Sequence, residues 1–471
     1  MRRFVLLASL AAAALGVASG ETALSPEVRQ TAETLRERLL AGSQATRWIQ
    51  ELTDRAGPRL AGSPGDREAI EWALETLRAL GFANVHTEKV TVRVWQRGAE
   101  SGEVVSPHPQ PLALTALGGS VPTPDGGLEA EILEVASLQE LDAKPAAARG
   151  KIVFFNKRME RREDFRGYSA AVDVRADGAS RAARYGAVGV LIRSIGTDHN
   201  RLGHTGALKY DDKVPRLPAA ALSIPDADLL ERLLRRGQAV RVRFVLSCGE
   251  KGEAESANVI GDIPGAALPE EIVLLGAHLD SWDLGRGAID DGAGCGIVLE
   301  AARWIGELPR RPARTIRVVL FANEENGLGG AKAYARAHEK ELSRHVMALE
   351  ADSGAGRPTG LTWIAGASSE PAIREIAALL ESLGAGAVSG DGSGGADIGE
   401  LRSAGVPLFS VSQDVSRYFD DHHTANDTFD KIEPVPLNRS VAAVAVVAYC
   451  AASVPNPFER IPEGKRARPG W

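Results

Sequence analysis

The sequence predicts an α/β protein, a mixed sheet flanked by helices, that carries an inserted β-rich domain. Two patterns predict it. From about residue 259 onward, short apolar runs of strand length alternate with amphipathic stretches of helical period, as expected of a sheet covered on both faces. Between residues 121 and 248 the texture changes to short β-rich runs separated by helical segments, without any cluster of histidines and carboxylates. A length of 471 residues, 44% hydrophobic and 25% charged, accommodates about three modules. A formal charge of −7 gives no reason to expect nucleic acid or an anionic membrane as partner. Three scattered cysteines, Cys248, Cys295 and Cys450, exclude a disulfide framework or a cysteine-based zinc module. Any metal must therefore be held by histidines and carboxylates.

Taken in order, Arg2 and Arg3 precede an apolar run that ends at Ala18-Ser19-Gly20. Residues 1–20 read as a signal peptide, with an apolar run too short for a membrane helix. The mature chain is expected to be exported, periplasmic or extracellular, with no stable membrane anchor. Residues 21–120 read as the N-terminal helical part of the main domain: helical over 25–56 and over 66–80, where Ile70, Leu74 and Leu77 keep helical spacing before Gly81. The insert, 121–248, should hold strands at 132–135, 151–155, 187–192 and 240–246, and a helix at 227–236 capped by Asp226. Residues 249–455 read as the main α/β part, with strands at 271–276, 315–322, 346–350, 361–365 and 407–411 and helices at 294–307, 330–345, 371–383 and 438–452. Residues 456–471 are a C-terminal tail.

In open α/β sheets ligands bind beyond the carboxyl ends of strands, and the chemistry-bearing residues stand there. Strand 271–276 runs into His278-Leu-Asp280. Residues two apart on an extended chain share a face, so an imidazole on a metal could be oriented by the acid beyond it. Asp290 and Asp291 follow at a glycine-rich helix entry, where an aspartate also serves as a cap. The next strand ends in Glu324-Glu325. Adjacent side chains diverge, so one can bind a metal while the other acts as general base. Strand 346–350 leads to Glu350 and Asp352, and His422-His423 lies on a loop before the last helix. Two histidines and three acids around one sheet edge suit two ions of the zinc type, one carboxylate bridging. Asp397 reads either as a support or as a helix cap. His86, His108, His199, His204, His338 and His345 read as surface or packing residues, and Cys295 as an inert buried thiol.

The stretches GAHLDSWDLGRGAIDDGAG (276–294), FANEENGLGG (321–330), LEADSGA (349–355) and FDDHHTANDT (419–428), in that order, resemble the co-catalytic dizinc aminopeptidase family. That family includes secreted bacterial leucyl aminopeptidases and glutamate carboxypeptidase II. The resemblance covers nearly all of the mature chain and implies a zinc aminopeptidase (phosphorylase/hydrolase-like) fold. It implies two Zn2+ per chain: one held by His278 and Asp352, a second by Glu325 and His423, with Asp290 bridging. It also implies Glu324 as general base, acting with a metal-bridging hydroxide, and Asp280 as the carboxylate behind His278. The insert resembles a protease-associated domain through residues 186–192 and 217–222, and its removal is expected to change substrate selection while leaving metal binding largely intact. Implied substrates are short peptides, foremost dipeptides with free termini, and the branch most resembled forms homodimers. Two other readings belong to the same fold: an acyl-transferring glutaminyl cyclase with one zinc, and a non-enzymatic binding protein that has lost its ligands. All five ligands are retained here.

Overall fold

A computed structural model of the chain describes residues 23–390, 392 and 394–467; the expected signal peptide lies outside them. Two eight-stranded mixed sheets organise the molecule. In the first, the strands run in the order Ala83–Gln96, Gly249–Ile263, Arg314–Phe321, Leu268–His278, His345–Glu350, Leu408–Gln413, Pro358–Ile364, Val388–Ser389. Leu268–His278 is parallel to both of its neighbours, Arg314–Phe321 and His345–Glu350. Three carboxyl ends therefore lie side by side.

The apolar alternation of each strand feeds two cores, as a pleated period of two requires. Val273, Leu275 and Ala277 join Val318, Leu320, Met347 and Leu349 beneath helices Ala293–Gly306 and Pro434–Ser453. Ile272 and Leu274 join Val319, Phe321 and Ala348 on the opposite face, against Tyr334 of helix Gly329–Ala337. Pro434–Ser453 is apolar and long enough to cross a membrane, yet every residue from Ser440 to Ala452 is buried. It is the central core helix.

Several elements differ from expectation. The helical stretch 25–56 is two helices, Pro26–Ala41 and Ala45–Ala56, the first capped by the Ser25 hydroxyl and stopped at Gly42. Ala83–Gln96, inside the segment read as helical, is a strand, and it pairs antiparallel with Gly249–Ile263 over nearly its whole length. Helix Ile224–Leu234 is capped by Ser223, not Asp226, whose N–H donates to the Ser223 hydroxyl. The helix expected at 330–345 stops at Ala337. Within the expected tail, Phe458 and Ile461 are buried, and Phe458 packs on Phe409 with ring centroids 4.9 Å apart.

The second sheet runs Gln110–Leu112, Glu100–Ser106, Arg241–Leu246, Leu128–Val135, Ile152–Phe155, Gly189–Arg193, Ala219–Leu222, Leu114–Ala116. Three of these strands precede residue 121, so the expected boundary falls inside this domain. The domain leaves the main chain after Gln96 and returns at Gly249, which face each other across the strand ladder.

One buried histidine far from the carboxyl ends makes stability depend on pH. His345 accepts from the Tyr334 hydroxyl at Nε2 (2.8 Å) and donates from Nδ1 to the Glu341 carbonyl (3.1 Å), and burial lowers its pKa to about 4. An unfolded histidine titrates near 6.5. Between those values the unfolded chain binds a proton that the folded one refuses, so stability present above ~6.5 is lost as pH falls toward 4, on the order of 3 kcal/mol. Denaturant melts at pH 7 and pH 4.5 should show a smaller loss for His345→Gln than for wild type. Equal losses would reject the assignment.

Candidate metal centre

His278 is the last residue of Leu268–His278. Its Nδ1–H donates to the main-chain carbonyl of Asp280 (3.0 Å), which leaves Nε2 free to face Asp290 Oδ1 at 3.0 Å and Asp352 Oδ1 at 3.6 Å. The Asp280 carboxylate lies farther from Nδ1, at 3.8 Å. It accepts the backbone N–H of Glu324 instead (2.9 Å). Asp280 thus orients the histidine through its carbonyl, and its carboxylate fixes the strand end that carries the two glutamates.

The aspartate pair divides its work. Asp291 accepts from the N–H of His278 (3.1 Å) and of Gly294 (2.9 Å) at the start of Ala293–Gly306, which is the capping role. Gly294 is obligatory there, because a Cβ would stand 1.9 Å from the Ala351 carbonyl. Asp290 points the other way. Its Oδ1 faces His278, while Oδ2 faces His423 Nε2 at 3.2 Å and His422 Nε2 at 3.4 Å. His423 Nε2 also meets Glu325 Oε2 at 3.0 Å. The backbone that presents Asp290 is held by Asp427, which accepts from the N–H of Ile289 (2.7 Å) and Asp290 (3.2 Å); burial pushes Asp427 up to about 7.

His278, Asp290, Asp352, Glu325 and His423 are therefore brought together, with Glu324 beside them. Burial opposes charging His278, yet its hydrogen bonds to Asp290 and Asp352 raise its pKa well above the ordinary range. Burial, together with the carboxylates of Asp352, Glu325 and Asp280, raises Glu324 well above the usual range of a glutamate. Asp290, Asp352 and Glu325 outnumber His278 and His423, the two imidazoles here whose charging is favoured, and the remaining negative charge is costly without a further cation. Glu325 Oε1, buried, has no hydrogen-bond partner. Nitrogen and carboxylate donors on both sides of one shared carboxylate fit zinc-type ions.

Other expected residues have other roles. Glu350 accepts from the N–H of Ala396, Asp397 and Ile398 (3.0, 3.2 and 2.8 Å), so it anchors the glycine-rich loop. Asp397 caps nothing: its buried carboxylate has no hydrogen-bond partner, and burial with Glu350 and Glu324 nearby raises its pKa. Cys295 is buried and donates to the His278 carbonyl (3.2 Å); burial pushes its thiol up to about 12, as suits an inert packing residue. Cys248 and Cys450 are free and buried.

Arg59 was not foreseen. Fully buried, it donates to the carbonyls of Leu279 and Arg286 (2.5 Å each) and Gly287 (2.8 Å), tying down the loop between His278 and Asp290. Its sequence signal is a lone arginine in a turn-rich apolar run, Gly57-Pro-Arg-Leu-Ala-Gly62. Trp282, on that loop, enters the core of the second domain. Its ring fills the space over Gly118, where a Cβ would lie 1.8 Å from it. Asp283 beside it pairs with Arg97 at 2.8 Å. The loop that begins at His278 thus also joins the two domains.

The model of peptidase family M28 matches residues 258–448. Carboxypeptidase Q of mouse is 38% identical over 403 residues, 86% of this chain and 84% of the mouse protein; the human protein is 36% identical over the same shares. A solved structure described as a peptidase M28 precursor from Shewanella amazonensis SB2B superposes with a TM-score of 0.91 at 45% identity, covering 93% of this chain and 99% of that one. A zinc aminopeptidase from Bacillus subtilis shares the fold, with a TM-score of 0.63 at 22% identity over 89% of this chain and 98% of that one.

Proposed function

Because the chain belongs to peptidase family M28 and is a zinc metallopeptidase, we propose that it hydrolyses short peptides, foremost dipeptides with free termini, at a centre of two zinc ions. One observation carries the reading: the two oxygens of Asp290 face opposite donor sets, Oδ1 toward His278 and Oδ2 toward His423. His278 and Asp352 would hold one ion, Glu325 and His423 the other, with Asp290 shared. When bound, zinc supplies Lewis acidity, polarising a carbonyl oxygen and lowering the pKa of water.

The protein's own part is positional and acid–base. Glu324 stands beside both donor sets without belonging to either, and its backbone is pinned to Asp280. Its carboxylate takes a proton from the attacking water and delivers it to the leaving nitrogen. The raised proton affinity that burial gives it suits that transfer. Arg59 and Asp427 keep the Asp290 loop in place. The same family resemblance supports two further parts of this reading, a protease-associated-like second domain and a homodimer, and the apolar run behind Arg2 and Arg3 that ends at Ala18-Ser19-Gly20 supports a third, removal of residues 1–20 on export. N-terminal sequencing of the secreted protein and sedimentation test the last two.

Zinc-loaded mature protein should cleave free dipeptides and lose most of that activity on N-acetylated or C-amidated versions. Full activity on both blocked forms, or none on any dipeptide, would reject the substrate class.

A further inference from the structure

A second domain without clustered ligands is expected to leave metal binding largely intact when removed. One of its loops, however, lies directly against the segment that carries His423. We propose that this loop, residues 194–208, is a positioning element of the His423–Glu325 half of the centre, acting through the carbonyl of Thr205 and the side chain of His204. The proposal rests on the two-zinc reading above.

Two reciprocal bonds join the loop to His423. Its Nδ1–H donates to the Thr205 carbonyl (3.2 Å), and the Thr205 N–H donates to the His423 carbonyl (3.0 Å). An imidazole with its proton on Nδ1 offers the lone pair of Nε2, and it is Nε2 that faces Asp290 and Glu325. The backbone of His423 needs this support, because its φ of 61° lies in the left-handed region that a non-glycine residue holds only when its surroundings impose it.

His204 holds the preceding residue. It is 1% exposed and donates from Nδ1 to the His422 carbonyl (2.8 Å), while Nε2 meets Asp198 Oδ1 at 2.9 Å. Asp198 is fixed in turn by the Asn200 N–H (2.7 Å). The His422 ring stacks on that of His423 with centroids 3.5 Å apart, so pinning His422 also sets the plane of His423. Thr197 completes the seam by donating to the Phe419 carbonyl (3.0 Å) and to Asp420 Oδ1 (2.8 Å). Thr205 itself is tied back to its own domain through the Ala116 carbonyl (2.8 Å) and Arg97 (3.1 Å). The hydrogen-bond partners that support a metal-binding histidine thus come from the other domain.

The test is a competition titration of full-length apoprotein with zinc and a chromophoric chelator. His204→Ala should weaken one of two ions about 10- to 100-fold, the usual cost of losing such a support, and leave the other unchanged. His204→Asn, which returns an amide N–H near the former Nδ1, should recover part of the loss. Two ions held as in wild type by folded His204→Ala, or both weakened alike, would overturn the proposal. The nitrogen-15 spectrum of zinc-loaded wild type gives a second readout that needs no variant: His423 should carry its proton on Nδ1, and an unprotonated Nδ1 would overturn the proposal even if His204→Ala fails to fold. A wild type that binds one zinc, with His423 protonated on Nδ1, would instead reject the two-ion reading alone.

Discussion

Asp290→Ala protein should hold neither zinc ion and should be inactive, a loss of at least about 10⁴-fold, since groups that work as a unit fail together. The reason is the placement of its two oxygens, one toward each histidine. Without the carboxylate, two buried imidazoles face one another across a gap with no shared anion. His278→Ala and His423→Ala should each weaken chiefly one ion. Elemental analysis after gel filtration decides the matter: an Asp290→Ala protein that keeps one ion and measurable turnover would show that the carboxylate is not shared.

The neighbouring glutamates should separate under the same substitution. Glu324→Gln keeps size and hydrogen bonding but cannot accept a proton, so turnover should fall by ~10² to 10⁴ with metal content unchanged. Glu325→Gln replaces the anion facing His423 at 3.0 Å with a neutral amide. One ion should then be weakly held, and added zinc should restore part of the activity. Zinc rescue of Glu324→Gln, with a fully loaded but dead Glu325→Gln, would invert the two roles.

The strands that carry the centre were readable because their apolar runs are continuous and their polar residues fall at the carboxyl ends. Predicted and observed bounds of Leu268–His278, Arg314–Phe321 and His345–Glu350 differ by a few residues at most. Ala83–Gln96 escaped because it follows three helices and its first half alternates exposed with half-buried positions, without an apolar run; it borders the sheet on one side only. The second domain's early start escaped because Glu100–Ser106 and Gln110–Leu112 are short, polar strands. At the centre, histidines and acids are legible as residue types placed after strands. Carbonyl partners are not. Neither the Thr205 carbonyl nor the carbonyls around Arg59 leave any trace in side-chain pattern, because every residue has one. The division between Asp290 and Asp291 likewise depends on backbone direction, which two identical adjacent residues do not reveal.

The long ladder between Ala83–Gln96 and Gly249–Ile263 bears on how the chain reaches its native state. Its closing pair, Gln96 and Gly249, is separated by about 150 residues, and bringing such distant segments together is slow because the closure entropy must be met before any contact forms. If the second domain condenses first, its two ends are already neighbours and the effective loop shrinks to almost nothing. In that order the first sheet is interrupted during synthesis and resumes on a prepared template, with Trp282 added to the second core only afterwards. Pulse-labelled hydrogen exchange during refolding should find Leu191 and Ile192 protected before Val259 and Ile260, and the reverse order would mean that the ladder closes around an unfolded insertion. On this route the inserted domain serves as a folding clamp for the sheet that interrupts its own sequence to admit it.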